Sequence, residues 1–175
     1  SHHMAYLYNF VNKPYKTQEK TRQILTELYT NSPDGISGNE DCGQMSAWYI
    51  FSSLGFYPVT PGSNQYIIGS PLFDKATIHL EGGKLFTVEA KNNSLENKYI
   101  KNVQLNNKAY PYSYLKHSDI VHGGNLVFEM TDRPTNWGTS DDFIPSTEIK
   151  YHKIIPAPFI KKGDIVFKGS TQVEL

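Results

Sequence analysis

Cysteine is almost absent from this 175-residue chain. Cys42 stands alone, which excludes an internal disulfide and any cysteine-rich metal site. No histidine lies near it in the sequence to activate a thiolate, so Cys42 reads as a small buried filler rather than a nucleophile. An excess of charge of either sign is lacking too. Lys and Arg number 17 and Asp and Glu 17, and charged residues make up only 19% of the chain. No electrostatic argument therefore favours nucleic acid or an acidic membrane as a partner. No apolar run reaches membrane-spanning length, the 175 residues hold no leader-like segment, and internal repeats and low-complexity tracts are missing. Aromatic residues, in contrast, are plentiful, with 12 Tyr, 9 Phe and 2 Trp. That suits sugar stacking, and it suits β-rich cores equally well.

The most informative stretch is Gly38-Asn39-Glu40-Asp41-Cys42-Gly43-Gln44-Met45-Ser46-Ala47-Trp48-Tyr49. Two carboxylates and two amides lie on a glycine-flanked turn that runs into an apolar, helix-like segment. Asp41 followed three residues later by Gln44 is a capping-box pattern. It predicts Asp41 at the N-terminus of a helix carrying Met45, Trp48, Tyr49 and Phe51. A helix N-terminus favours an ionised carboxylate, a state that suits a general base. Simple capping is the competing reading, because capping boxes are common.

Earlier in the chain, Ala5 to Val11 reads as the end of a helix broken by Asn12-Lys13-Pro14. Thr17 is the expected N-cap of an amphipathic helix running to about Thr30, with Ile24, Leu25, Leu28 and Tyr29 at helical spacing. Asn31-Ser32-Pro33-Asp34-Gly35 marks a turn, and Gly55 stops the helix that follows Asp41. Beyond Pro61-Gly62 the period changes to two. Strands are expected at Tyr66–Gly69, Ala76–Glu81, Leu85–Ala90, Tyr99–Leu105 and Asn125–Met130, a spacing that suggests an antiparallel sandwich. His79 and His117 have no carboxylate or cysteine at ligand spacing and read as ordinary surface or core histidines. Asn136-Trp137-Gly138 with Asp141-Asp142 is a loop with an aromatic and two acids, either a sugar platform or a packing and closing loop.

Several words of the sequence, taken in order, carry a resemblance. They are Tyr6-Leu7-Tyr8-Asn9-Phe10, Lys16-Thr17-Gln18-Glu19-Lys20, the Gly38 to Tyr49 stretch, Gly55-Phe56-Tyr57-Pro58-Val59 and Tyr66-Ile67-Ile68-Gly69-Ser70-Pro71-Leu72-Phe73. Together they resemble the C-terminal part of family 92 glycoside hydrolases, calcium-dependent exo-acting α-mannosidases. The resemblance runs from Ser1 to about Ile149, with the run from Asp34 to Phe73 the most specific. It implies an α+β chain: an N-terminal helical hairpin piece of an (α/α)6 barrel over 1–60, then an antiparallel β-sandwich-like region over 61–150. Residues 151–175 depart from the family pattern and resemble the start of an appended β module. Ser1-His2-His3-Met4 reads as native, since the family carries a Pro-Ser-His-His-like segment at this point.

The resemblance also implies a mechanism. Inversion needs a protonated acid at the leaving oxygen and a carboxylate base holding water on the opposite face. By position, Asp41 is the base and Asn39, where the family often has a helper acid, orients the water. Glu40 and Gln44 support the turn or bond sugar hydroxyls, and His2 and His3 are placed at hydroxyls of the terminal mannose. The family's acid lies in a Glu-Gly-x-x-Trp-Gln-like segment that these 175 residues do not contain. Calcium is implied as cofactor, with its site mostly outside this chain and no first-shell ligand assignable here. The implied partners are mannose-containing glycans, with no nucleic acid and no membrane insertion. The fragment by itself is expected to be inactive and to self-associate through exposed helical faces, and the location implied is periplasmic or extracellular. Two alternatives stand beside this reading. One is a non-catalytic carbohydrate-binding or structural β module with Trp137 or exposed tyrosines as platform. The other, by analogy of fold alone, is a helical-barrel glycosidase of different specificity.

Overall fold

A computed structural model describes residues 2–147 and, beyond them, 162, 166, 168–170 and 172. The expected module at 151–175 therefore lies outside the described residues, save for those isolated positions.

Proline and asparagine set the helical boundaries. His2–Val11 forms a 3-10 helix that ends at Asn12, which takes φ 61°, a left-handed value that Asn tolerates. Pro14 opens helix α1 (Pro14–Glu27), where its fixed φ and missing N–H are harmless. The helix thus starts three residues before Thr17, which is fully buried inside it instead of capping it. Helix α2 (Gln44–Leu54) stops at Gly55 as expected; the glycine sits at φ 98° and returns its N–H to the carbonyls of Phe51 and Ser52.

Strands follow in two sheets. β1 (Phe56–Tyr57), β2 (Gln65–Ile68) and β7 (Tyr114–Lys116) form a three-stranded antiparallel sheet in the order β1-β2-β7. β3 (Lys75–His79), β4 (Leu85–Lys91), β5 (Tyr99–Leu105), β6 (Lys108–Ala109) and β8 (Gly124–Thr131) form the second, in the order β3-β4-β8-β5-β6. The fold is mixed α+β. The expectation of an antiparallel region needs one correction: β4 and β8 pair in parallel, Val88 opposite Leu126 and Ala90 opposite Phe128. The chain leaves β4, builds β5, β6, β7 and a short helix α3 (His117–Val121), and only then inserts β8 between β4 and β5. A connection that long permits the parallel direction.

Alternation places Phe86, Val88 and Ala90 of β4 and Leu126, Phe128 and Met130 of β8 in one core, which Ile100, Val103, Leu115 and Phe56 complete. A smaller core of Tyr6, Leu25, Trp48 and Ile67 joins the helices to β2. Three polar side chains rivet the halves together. Asn9 Nδ2 donates to the carbonyls of Ile68 and Ser113, each at 2.9 Å, and Gln18 Oε1 accepts from the Ile100 N–H at 3.0 Å. The buried Arg22 guanidinium donates to the Pro71 carbonyl at 2.7 Å and to Asn93 Oδ1 and the Ser94 carbonyl, each at 2.6 Å. Trp137 packs against the strand core with its indole N–H donated to the Tyr110 carbonyl at 3.0 Å, so it closes the fold. His79 is exposed on β3, and His117 Nδ1 lies 3.0 Å from the Tyr66 hydroxyl at the start of α3.

Candidate functional site

The loop between α1 and α2 is built differently from the capping-box expectation. Glu40, not Asp41, takes the helix-end donors: its carboxylate accepts the N–H groups of Gly43 and, at 3.2 Å, Ser46. The Ser46 hydroxyl first, then those two N–H groups, hold the Glu40 carboxyl below the usual carboxylate range. Asp41 contributes only its carbonyl, which accepts the Gln44 N–H at 3.2 Å. Its side chain is exposed and has no hydrogen-bond or ion-pair partner among the described residues. The reason is the backbone. Asp41, Cys42 and Gly43 take φ of 55°, 57° and 97°, three left-handed residues in succession. An L-residue pays about 1–2 kcal/mol for that conformation, and such strain concentrates at functional sites where the surroundings enforce it. The same turn carries Cys42 outward, correcting the expectation of a buried filler.

Around this turn the sequence-predicted residues separate into two groups. Asn39, Asp41 and Gln44 are exposed together at the head of α2, with Glu40 half-buried between them. His2 lies beneath, its ring edge-on to Trp48 with centroids 4.7 Å apart, and to Tyr29 at 5.9 Å. Burial pushes the His2 imidazole below its ordinary value. Its Nε2 and the Trp48 Nε1 are both buried without a hydrogen-bond partner in the described structure. His3 is exposed and forms no hydrogen bond or ion pair among the described residues.

Tyr29 is the residue the sequence did not single out for the site. Its ring stacks parallel to fully buried Trp48, centroids 5.9 Å apart and planes 9° apart, and its hydroxyl donates to the Met45 carbonyl at 3.0 Å. Burial first, then the nearby Tyr57 and Glu40, push its own ionisation up to about 12. Tyr29, Trp48 and His2 thus form an aromatic floor under the start of α2. In sequence Tyr29 looked like one more apolar position of α1; only the helix end at Glu27 frees it to turn toward Trp48. The strained turn had a visible signal, since Gly38 and Gly43 flank it and both sit at positive φ. No group of three or more His, Cys, Asp or Glu side chains gathers at metal-binding distance among the described residues.

The turn presents a carboxylate with no partner among the described residues, a type of group that can accept or give a proton. The fold around it matches part of a glycosyl hydrolase catalytic domain. Residues 1–132 match the family model of the glycosyl hydrolase family 92 catalytic domain, and the chain belongs to that family.

Among solved structures, the chain resembles a family GH92 α-mannosidase of Bacteroides thetaiotaomicron solved in complex with mannoimidazole. Identity is 46% and the TM-score 0.80, over 83% of this chain and 19% of that one. It also resembles a family GH92 inverting mannosidase of the same bacterium, at 43% identity and TM-score 0.78, over 82% of this chain and 20% of that one. A curated relative, an uncharacterized secreted glycosidase of Arthroderma benhamiae, is 29% identical over 144 residues, 81% of this chain and 19% of the relative. The chain therefore spans about a fifth of the length of the relatives it matches.

Proposed function

We propose that this chain is the base-carrying part of an inverting exo-α-mannosidase that removes terminal α-mannosyl residues from glycans. The observation that carries the reading is Asp41: a carboxylate freed from capping by Glu40, presented on a strained turn, in a chain 46% identical to an α-mannosidase. Asp41 takes a proton from water as the water oxygen bonds the anomeric carbon and the glycosidic bond breaks. The leaving oxygen receives its proton from an acid on the opposite side, which these 175 residues do not supply. Asn39, beside the base, orients the water through its amide. Gln44 and His3 bond sugar hydroxyls, while Glu40 braces the turn and His2 supports the floor of the site.

In this reading α1 and α2 complete a ring of paired helices in the whole protein, with the strand region closing the catalytic domain as a sandwich-like layer. The 175 residues by themselves are inactive, for want of the acid. Calcium belongs to the same proposal at the level of the whole protein. A calcium ion wants six to eight oxygen ligands, and the described residues do not fit such a cage, so no step here runs through the ion. Export to the periplasm or cell exterior is likewise proposed, supported by the secreted relative. No helix among the described residues is long and apolar enough to cross a membrane.

The test is proton NMR of the sugar first released by the whole protein from terminal α-mannosides, with and without a chelator. Release of β-mannose, abolished by the chelator and restored by calcium, is the expected result. Release of α-mannose, or of another sugar, overturns the reading. Turnover by the isolated 175 residues would contradict the missing acid.

A further inference from the structure

We infer that Tyr29 is a positioning residue for the base: it ties together the chain entering and the chain leaving the turn at 38–43, and so fixes where Asp41 stands. The inference rests on the reading of Asp41 as base and adds to it the device that holds the base in place.

The turn is strained, with Asp41, Cys42 and Gly43 all at positive φ. Such a conformation persists only where its surroundings over-determine it. Glu40 supplies part of that constraint, but its carboxylate reaches only forward, to the N–H groups of Gly43 and Ser46. Nothing in that brace ties the turn to the chain that enters it from α1. Tyr29 does.

On the entry side, the Tyr29 backbone forms an antiparallel bridge with Ile36. The Thr30 N–H donates to the Gly35 carbonyl at 2.9 Å and the Ser37 N–H to the Leu28 carbonyl at 3.3 Å. The chain over 28–37 thus folds back on itself and delivers Gly38 to the turn. On the exit side, the Tyr29 hydroxyl donates to the Met45 carbonyl at 3.0 Å, in the first turn of α2. A carbonyl has two lone pairs, so this bond can stand beside the one made within the helix. From Met45 the path to the base is short. The Met45 N–H donates to the Glu40 carbonyl, and the neighbouring Gln44 N–H to the Asp41 carbonyl, each at 3.2 Å. A shift of Met45 therefore passes directly into Glu40 and Asp41.

The ring aims the hydroxyl. It packs against two rings of α2, nearly parallel to buried Trp48 and with its centroid 4.9 Å from that of Tyr49. The side chain therefore follows α2 while the backbone follows the hairpin after α1. Burial keeps the hydroxyl protonated well above neutral pH, so it remains a donor wherever a carboxylate base would work.

The experiment is a double-mutant cycle in the whole protein on α-mannosyl fluoride, whose fluoride departs with little help from an acid and so isolates the base. Tyr29→Phe keeps the ring and deletes the hydroxyl. It is expected to lower kcat about tenfold, short of the hundredfold that a 1 Å misplacement can cost, with KM within about twofold and the unfolding temperature unchanged. In an Asp41→Ala background the same change is expected to alter kcat by less than about twofold, because misplacing an absent base costs nothing. Losses that multiply, or a Tyr29→Phe variant with wild-type kcat, would overturn the positioning role and leave Asp41 as the base. Wild-type turnover by Asp41→Ala would instead remove the base, and the role of Tyr29 with it.

Discussion

The strand half and the helical half of this chain are finished to different degrees. All the buried side-chain polar atoms that lack a partner in the described structure belong to the helical half: His2 Nε2, Asn9 Oδ1, Thr17 Oγ1, Trp48 Nε1 and Ser53 Oγ. The strand half has none among the described residues. Its core is a continuous cluster in which Ile100, Leu115, Leu126 and Phe128 are wholly buried, whereas the helical cluster rests on Tyr6, Leu25, Trp48 and Ile67. The 3-10 helix also turns Met4, Leu7, Tyr8 and Val11 outward. Native interiors rarely leave buried polar atoms unpaired. The difference teaches that the buried polar side chains of the strand half are paired, while the helical half, which carries the candidate site, leaves several open.

The comparison can be broken most forcefully at the cores. Phe128→Ala, in the wholly buried strand core, should cost about 3–5 kcal/mol in denaturant unfolding of the chain. Trp48→Phe keeps an aromatic ring and deletes an unpaired donor, so it should cost less than about 1.5 kcal/mol. A Trp48→Phe loss as large as that of Phe128→Ala would mean that the helical half is as tightly completed as the strands.

A second probe addresses the turn. Glu40→Ala should release the Gly43 and Ser46 N–H groups and let Asp41 shift, lowering turnover of the whole protein about a hundredfold, the scale of a 1 Å misplacement. Strand-half stability should be unchanged. The effect has a pH signature. Because the folded carboxyl lies below its ordinary 4.5, Glu40 stabilises the turn fully above that value and progressively less as pH falls through the lower folded value. The protection factors of the Gly43 and Ser46 amides, corrected for intrinsic exchange, should therefore fall in acid in the wild type and be insensitive to acid in Glu40→Ala.

The smallest expected effect is at the outward stripe. Leu7→Ser with Val11→Ser should change the stability of the isolated chain by no more than about 0.5 kcal/mol per site. The pair should nonetheless lower any self-association seen by sedimentation, since exposed apolar patches drive association. Unchanged association would locate the sticky surface elsewhere.

What could be read from the sequence follows the range of the interaction involved. β5 was expected at the residues where it occurs, because alternation and the Asn106-Asn107 turn are local signals. The stop at Gly55 was legible for the same reason. Parallel insertion of β8 beside β4 was not, since nothing local encodes which strand a returning segment will join. β7 and α3 were missed as well: Tyr114–Lys116 and His117–Val121 are too short to show a period. At the candidate site the residue types were visible, yet the residue at the helix end is not the one the local pattern suggests. The capping-box rule assigned the cap to Asp41, whereas three left-handed residues in a row let Glu40 reach the helix end first.

The central claim is that Asp41 is a base, and its most direct test is Asp41→Ala in the whole protein. The account predicts that turnover of terminal α-mannosides falls by about 10²–10⁴, the usual contribution of a general base, with an unchanged unfolding temperature. A variant that folds normally and keeps wild-type turnover would contradict it.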